Sequence, residues 1–156
     1  MKVENKIINL LHYSELGSNE PIHICDSIIK TIDFDTFEFN SEVIIERCII
    51  DSLLVHSCWF RKGLVFKNNH LINYVDYQMG GHNSNPIHIE NNIFVEFVNF
   101  FDCQFKEVVE VNNNIFIKGS NLLGNKNEGF ENTFDKGMIH NNNIGQIDLE
   151  GFGDQI

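Results

Sequence analysis

Apolar residues recur along this chain with one fixed spacing. In segment 22–29 they occupy the first, third and eighth positions, and the same spacing begins again every 10 to 12 residues. Nine such units follow one another, with first residues Ile22, Ile32, Val43, Leu53, Leu64, Val75, Ile87, Val98 and Val109. The third position is apolar in every unit, and the eighth in all but one, where His82 stands. Self-similarity of this kind indicates a repeat architecture.

Each unit predicts a short strand, a turn and a second short strand. Residues at the first and third positions share one face of a strand, because successive side chains alternate between its two faces. The fifth and sixth positions are turn-forming in most units, as in Asn91-Asn92 and Asn113-Asn114. Asparagine tolerates a left-handed backbone and therefore suits a corner. The apolar eighth position then returns to the interior.

Two consecutive units make a coil of 21 to 22 residues, and stacked coils would place equivalent residues in columns about 4.8 Å apart. One such column holds Asn69, Asn92 and Asn114, whose amides can pair from coil to coil. A β-sandwich also uses alternating strands, but it has no reason to keep one spacing over nine units. The sequence therefore predicts an all-β fold, a parallel β-solenoid.

Two of the units, IHIENNIF at 87–94 and VEVNNNIF at 109–116, resemble the repeats of right-handed parallel β-helix proteins, the pectate-lyase-like superfamily. The resemblance covers roughly residues 22–120 and implies a single-stranded, right-handed helix. It also implies a polysaccharide groove lined by acids with Arg or Lys, although the family's paired aspartates beside an arginine are not recognisable here. The units within 43–60 are similar to pentapeptide-repeat proteins, but their spacing departs from a strict five-residue period.

Both ends of a solenoid expose its core, so a cap is expected at each end. Four apolar residues near the N-terminus are spaced to share one face of a helix: Val3, Ile7, Leu10 and Leu11. They predict a capping helix over residues 3 to about 16. The single domain 1–156 is expected to comprise an N-terminal cap (1–18), regular coils (19–118) with a loop at 78–86, and irregular coils with a C-terminal cover (119–156).

Charge and composition narrow the function classes. The chain has 156 residues, and its 22 acidic and 11 basic residues give a net charge of −11. A nucleic-acid binder needs a basic surface, so direct nucleic-acid binding is not expected. No apolar run approaches the roughly 18 residues of a membrane span, and no signal segment is recognised, so no membrane association is expected. The four cysteines form no Cys-x-x-Cys pair, which favours a reduced, cytoplasmic protein.

One group of outward residues forms a candidate catalytic face. Paired carboxylates beside an imidazole can act as acid and base, and the repeat places five such residues near one another: Asp33, Asp35, His56, Asp76 and, from the predicted loop, His82. In a chain with 22 acids, an outward carboxylate is usually only solvated. A non-catalytic protein is therefore expected; an enzyme of this fold would be a polysaccharide lyase or hydrolase.

No cofactor or metal site is predicted. His23 and His88 share a column, but they lie three coils apart, or roughly 14 Å. One ion cannot join them, because its ligands lie about 2 Å from it. Gly80-Gly81 is not followed by the Lys and Ser or Thr of a phosphate-binding loop.

Apolar residues at outward positions indicate a contact surface. Ile44, Leu54 and Val65 hold the second position of three consecutive units, and Trp59 holds a seventh position that several other units fill with isoleucine. Because apolar strips mark contacts, these four residues predict a non-catalytic solenoid that binds another protein or itself. An inhibitor or immunity-type protein that covers a basic surface would suit the charge. The alternatives are a polysaccharide-active or carbohydrate-binding protein and an acidic DNA mimic of the pentapeptide-repeat type.

Overall fold

The structure, a computed structural model, describes residues 1–17 and 19–153. It is a parallel β-solenoid in which each coil lies against the previous one, so the predicted all-β parallel solenoid is confirmed. Ser18 and residues 154–156, which end the predicted N-terminal cap and C-terminal cover, lie outside the described residues. Within the described part of the chain, no helix is long and apolar enough to cross a membrane.

Nineteen short strands and one 3-10 helix, Tyr13–Glu15, make up the regular structure of the described residues. The strands are β1 (Lys2–Glu4), β2 (Ile7–His12), β3 (Ile22–Cys25), β4 (Ile28–Asp33), β5 (Glu38–Phe39), β6 (Val43–Glu46), β7 (Ile49–Leu54), β8 (Trp59–Phe60), β9 (Leu64–Lys67), β10 (His70–Leu71), β11 (Val75–Asp76), β12 (Ile87–Glu90), β13 (Ile93–Phe94), β14 (Val98–Asn99), β15 (Gln104–Phe105), β16 (Val109–Asn112), β17 (Ile115–Phe116), β18 (Thr133–Phe134) and β19 (Met138–Asn141).

Strands from successive coils form two large sheets and two small ones. Sheet A has the order β1-β3-β6-β9-β12-β16-β19. Sheet B joins β2, β4 and β7, and then divides into one arm of β10, β13 and β17 and another of β11 and β14. Sheet C pairs β5 with β8, and sheet D pairs β15 with β18. The register joins equivalent positions of the repeat, so that Val43 pairs with Leu64 and Leu64 with Ile87. Each position of the repeat therefore becomes a column.

The predicted N-terminal capping helix is wrong. Its residues form β1 and β2, and Val3 lies opposite Ile24 in the register of β1 and β3. Strand β2 pairs with β4 in the same way, which buries Leu11 and leaves Ile7 outside. The repeat extends one coil further towards the N-terminus, with Met1 in its first position. In this segment the apolar spacing of a strand–turn–strand unit coincides with that of a helix, and pairing with the next coil decides in favour of strands.

Polar corners follow the strands of sheet A. At the fifth position of the repeat the backbone is left-handed, with φ between 52° and 58°. This column contains Asn5, Asp26, Arg47, Asn68, Asn91, Asn113 and Asn142. Asparagine predominates because, among residues other than glycine, it adopts this conformation with little strain. The turns that the asparagine pairs predict are therefore present.

The sixth position forms a column of amides, the asparagine ladder, made of Asn69, Asn92, Asn114 and Asn143. The first three are at most 3% exposed. Oδ1 of Asn92 accepts the backbone N–H of Asn69 at 2.9 Å, and Oδ1 of Asn114 accepts that of Asn92 at 2.9 Å. Nδ2 of Asn92 donates to the carbonyl of Phe66 at 2.9 Å. The ladder thus satisfies buried backbone groups that the corner removes from the sheets.

Aromatic rings also stack inside the solenoid. Phe39 lies 5.4 Å from Phe60 with the ring planes only 2° apart, and Phe94 lies 4.9 Å from Phe116 at 8°. Each pair occupies the eighth position of units one coil apart. Because these large side chains are buried, a register slip of one residue would expose them, and the stacks therefore hold the coils in register.

We expect Asn92→Ala to lower the free energy of unfolding by about 2–4 kcal/mol, because the N–H of Asn69 and the carbonyl of Phe66 lose their partner in the interior. Urea denaturation measures the change. Asn73→Ala is the matched control, since Asn73 bonds Asp51 at the surface, and its cost should stay below about 0.5 kcal/mol. Equal costs for the two variants would contradict a stabilising role of the ladder.

Candidate binding surface

A column of isoleucines lies on the outer face of sheet B. It occupies the seventh position of the repeat, directly after the corner, and the residue that follows in each coil turns inward, as at the buried Ile29 and Phe94. We call this column the isoleucine ladder. In register order it consists of Ile7, Ile28, Ile49, His70, Ile93, Ile115 and Ile144.

Most isoleucines of the ladder are exposed, and Ile115 is half-buried. Ile7 is 85% exposed, Ile28 50% and Ile144 65%. Ile72 and Ile117 directly follow the ends of β10 and β17, where their backbone N–H groups still bond to the previous coil, and they are 40% and 61% exposed. Together with the rest of the ladder they expose an apolar area of the order of 600 Å², the upper end of what typical monomers show in one patch.

Polar groups border the isoleucine ladder. On the corner side, Arg47, Asn68 and Asn91 line a shallow recess together with the ladder residues around His70. The Arg47 guanidinium is held there by Asp26 at 2.7 Å. An apolar centre with a polar rim is the usual anatomy of a protein–protein contact.

The four binding residues predicted from the sequence lie on three different sheets. Ile44 and Val65 are register partners in sheet A. Leu54 ends β7 in sheet B, and Trp59 begins β8 in sheet C. All four are half-buried. Only Ile44 and Val65 come together, because consecutive units of the repeat contribute to different sheets, and equivalent positions share a face only in alternate units.

Trp59 is enclosed by neighbouring side chains. The Arg61 guanidinium lies 4.7 Å from its ring centroid, and the His82 ring lies 4.4 Å away. Glu38 holds Arg61 at 3.0 Å, and the Trp59 Nε1–H donates to the carbonyl of Met79 at 3.2 Å. Burial, with the positive charge of Arg61 added, lowers the pKa of His82, so this imidazole is mostly neutral at pH 7. Trp59 is thus part of a local cluster outside the isoleucine ladder.

The structure gathers four of the five residues of the candidate catalytic face: Asp33, Asp35, His56 and Asp76. His56 Nδ1 lies 3.3 Å from Asp76 Oδ2, and Asp35 Oδ1 accepts the backbone N–H of His56 at 2.9 Å. The fifth residue, His82, lies apart from them, against Trp59. We call the four gathered residues the acidic cluster.

One carboxyl of the acidic cluster is electrostatically unusual. Burial raises the pKa of Asp35, the backbone N–H of His56 opposes this rise, and the charges of Asp33 and Asp76 add to it. A carboxyl with a raised pKa close to an imidazole can exchange protons with a bound molecule. Structural charge clusters shift pKa values in the same way, so the acidic cluster ranks second to the isoleucine ladder as a candidate site.

The sequence predicted outward isoleucines at the seventh position but placed them in one strip with Trp59, and it missed both ends of the isoleucine ladder. Ile7 falls in the segment predicted as a helix. Ile144 follows a coil in which equivalent asparagines are 29 residues apart, longer than the repeat. The signal that identifies it is short: the tripeptide Asn-Asn-Ile at 113–115 recurs at 142–144.

Comparison with known proteins identifies no family or function for this chain. The chain matches no protein-family model, no curated protein and no solved structure. The resemblance to right-handed parallel β-helix proteins is therefore a likeness of the repeat alone, and the surfaces described above carry the inference of function.

We expect Asp35→Asn to raise the free energy of unfolding at pH 7. The folded protein holds the Asp35 proton more tightly than the unfolded chain does, so ionisation above the folded pKa costs stability. Asparagine removes the charge and keeps an oxygen for the His56 N–H. The gain should shrink as the pH falls and disappear below about pH 4, where Asp35 is protonated in both states. Urea denaturation at pH 7 and pH 3 measures it, and a variant less stable than wild type at pH 7 would contradict the expectation.

Proposed function

We propose that this protein is a non-catalytic binding module that docks against another protein through the isoleucine ladder. The exposed isoleucine column carries the proposal, because an outward row of branched aliphatic side chains, interrupted in the described coils by His70, leaves apolar surface in contact with water. Its area of the order of 600 Å² approaches the roughly 800 Å² that each partner buries in a standard interface. Burial of apolar surface is the main favourable contribution to protein association, and it must offset an association cost of about 4–15 kcal/mol.

The partner is expected to carry basic residues around an apolar patch. The net charge of −11 attracts a basic surface and speeds association with it. A second copy of the chain would bring the same negative charge, and repulsion disfavours that pairing. An inhibitor or immunity-type protein, which covers a basic enzyme or toxin surface with a rigid face, fits these properties.

The cysteines support a non-catalytic role and a cytoplasmic location. All four are buried free thiols. Burial raises the pKa of Cys48 to about 11 and also raises the pKa of Cys58 and of Cys103. These thiols are therefore protonated at neutral pH and are poor nucleophiles. Unpaired cysteines are typical of a reducing compartment.

An acidic DNA mimic receives less support from the charges. Such a mimic needs acids regularly spaced on one face, whereas the fourth position of sheet A holds Glu46, then Lys67, then Glu90 in successive coils. Lys67 lies 3.3 Å from Glu46 and neutralises part of its charge.

The acidic cluster favours one alternative function, a polysaccharide-active protein, which the resemblance to pectate-lyase-like repeats also supports. If the cluster cleaves uronic-acid polysaccharides in the presence of Ca²⁺, unsaturated ends should appear as new ultraviolet absorbance. Asp35→Asn should then abolish this absorbance, because its amide cannot exchange protons as a carboxyl does. A flat trace across several uronic-acid substrates would exclude lyase activity.

We expect the double variant Ile28→Glu, Ile93→Glu to weaken partner binding by about 100-fold or more, because it buries two carboxylates against an apolar patch. Tagged wild-type protein identifies the partner by capture from native cells, and calorimetry with the purified partner measures the affinity. Val65→Glu on sheet A is the matched control and should bind as wild type does. Circular dichroism verifies that each variant is folded.

Trp59→Glu tests whether the partner binds to the isoleucine ladder or to the surface around Trp59, Arg61 and His82. If this variant loses binding while Ile28→Glu, Ile93→Glu binds normally, the docking surface is the one around Trp59, and the assignment to the ladder is overturned. A wild-type protein that captures no stoichiometric protein partner would overturn the binding function itself.

A further inference from the structure

We propose that His88, Glu90 and Glu110 on the outer face of sheet A form a site for a divalent cation of the zinc class. Strand β12 carries His88 and Glu90 two residues apart, so both side chains project from the same face. Strand β16 places Glu110 opposite His88. One ligand atom from each of the three residues lies within 4.8 Å of the other two. An imidazole and two carboxylates form a donor set that Zn²⁺ accepts.

The separation of His88 and Glu110 suits an ion better than a hydrogen bond. His88 Nδ1 lies 3.6 Å from Glu110 Oε2, whereas hydrogen bonds of this type are about 2.7–3.2 Å long. Two ligand atoms that each lie about 2.1 Å from a tetrahedrally coordinated Zn²⁺ are about 3.4 Å apart. The two side chains therefore stand close to the separation that an ion between them requires.

The charges around these residues are unbalanced. In the part of the chain that the structure describes, no lysine or arginine forms an ion pair with Glu90 or Glu110. Lys67 is the register partner of Glu90, but its ammonium pairs with Glu46 at 3.3 Å. Two carboxylates and one imidazole thus form a negatively charged site, which a divalent cation neutralises.

The same two columns contain a second His–Glu pair, which joins adjacent coils diagonally and is closed to metal. Nearer the N-terminus, His23 occupies the column of His88, and Glu46 occupies the column of Glu90. His23 Nε2 and Glu46 Oε1 are only 2.8 Å apart, a direct hydrogen bond. Glu46 also contacts the Arg47 guanidinium at 2.9 Å. Because this pair is hydrogen-bonded and its charge is balanced, it leaves neither space nor charge for an ion.

Sequence spacing predicted no metal site because it compares His23 and His88 only with each other. The register adds a carboxylate from the neighbouring coil to His88. The side chains of His88 and Glu110 are 33% and 31% exposed, so an ion held there keeps open positions for water or for an outside ligand. The site lies on sheet A and does not depend on binding through the isoleucine ladder.

Calorimetric titration of the full chain with ZnCl₂ tests the proposal. We expect one Zn²⁺ per chain in the wild-type protein. His88→Asn and Glu110→Gln should each lower the affinity by about tenfold or more, since even the loss of a group that only supports a ligand costs about 10–100-fold. His23→Asn is the matched control and should leave the affinity unchanged. Nuclear magnetic resonance should show the imidazole signals of His88 shifting with Zn²⁺ while those of His23 stay in place.

Several outcomes would overturn the site. The first is an absence of heat from Zn²⁺ binding, and the second is an affinity in His88→Asn equal to that of wild type. The third is the binding of several equivalent weak ions per chain, because this indicates general attraction to an acidic surface. Equal affinity for Ca²⁺ and Zn²⁺ would assign binding to carboxylates alone and remove the role of His88. Circular dichroism of each variant ensures that a lost signal reflects the site and not a lost fold.

Discussion

In-register hydrogen bonding between successive coils is the constraint on which the rest of this structure depends. Strand β6 bonds to β3 on one side and to β9 on the other, and equivalent residues such as Ile45 and Phe66 lie against each other. A coil cannot slip by one residue without turning its apolar side chains outwards. Each position of the repeat must therefore hold a residue type that packs well against its own kind in the next coil. Branched aliphatic residues and flat phenyl rings meet this requirement in the core.

The corners meet the same requirement with two adjacent asparagines. Asn91 adopts the left-handed backbone that turns the chain, and Asn92 points inward and accepts or donates the hydrogen bonds that the strands lose there. A single buried amide without partners would cost several kcal/mol. In a column, each amide satisfies groups of the neighbouring coil, so the asparagine ladder is stable because it is continuous. Towards the N-terminus the smaller Ser27 and Cys48 take this position.

Stacking also converts the outward positions into columns, and the chemistry of each column decides what that face can do. The isoleucine ladder keeps one residue type in each coil except the one that contributes His70. This repetition produces a long apolar surface suited to a protein partner. The column that contains His23 and His88 changes from coil to coil, and this change places His88 beside Glu110. The isoleucine ladder lies on sheet B and the proposed cation site on sheet A, so one protein can use both.

The sequence by itself determined the coil, the corners, the inward and outward positions and most of the isoleucine ladder, because these follow from a local period that each unit carries. It also brought together the acidic cluster, whose members lie at equivalent positions of neighbouring coils. Only the tertiary structure decided which outward residues share a face, since consecutive units contribute to different sheets and this separates Leu54 and Trp59 from Ile44. It also decided the N-terminal segment around Ile7, where helical and strand spacings coincide and only the backbone hydrogen bonds of the next coil choose between them.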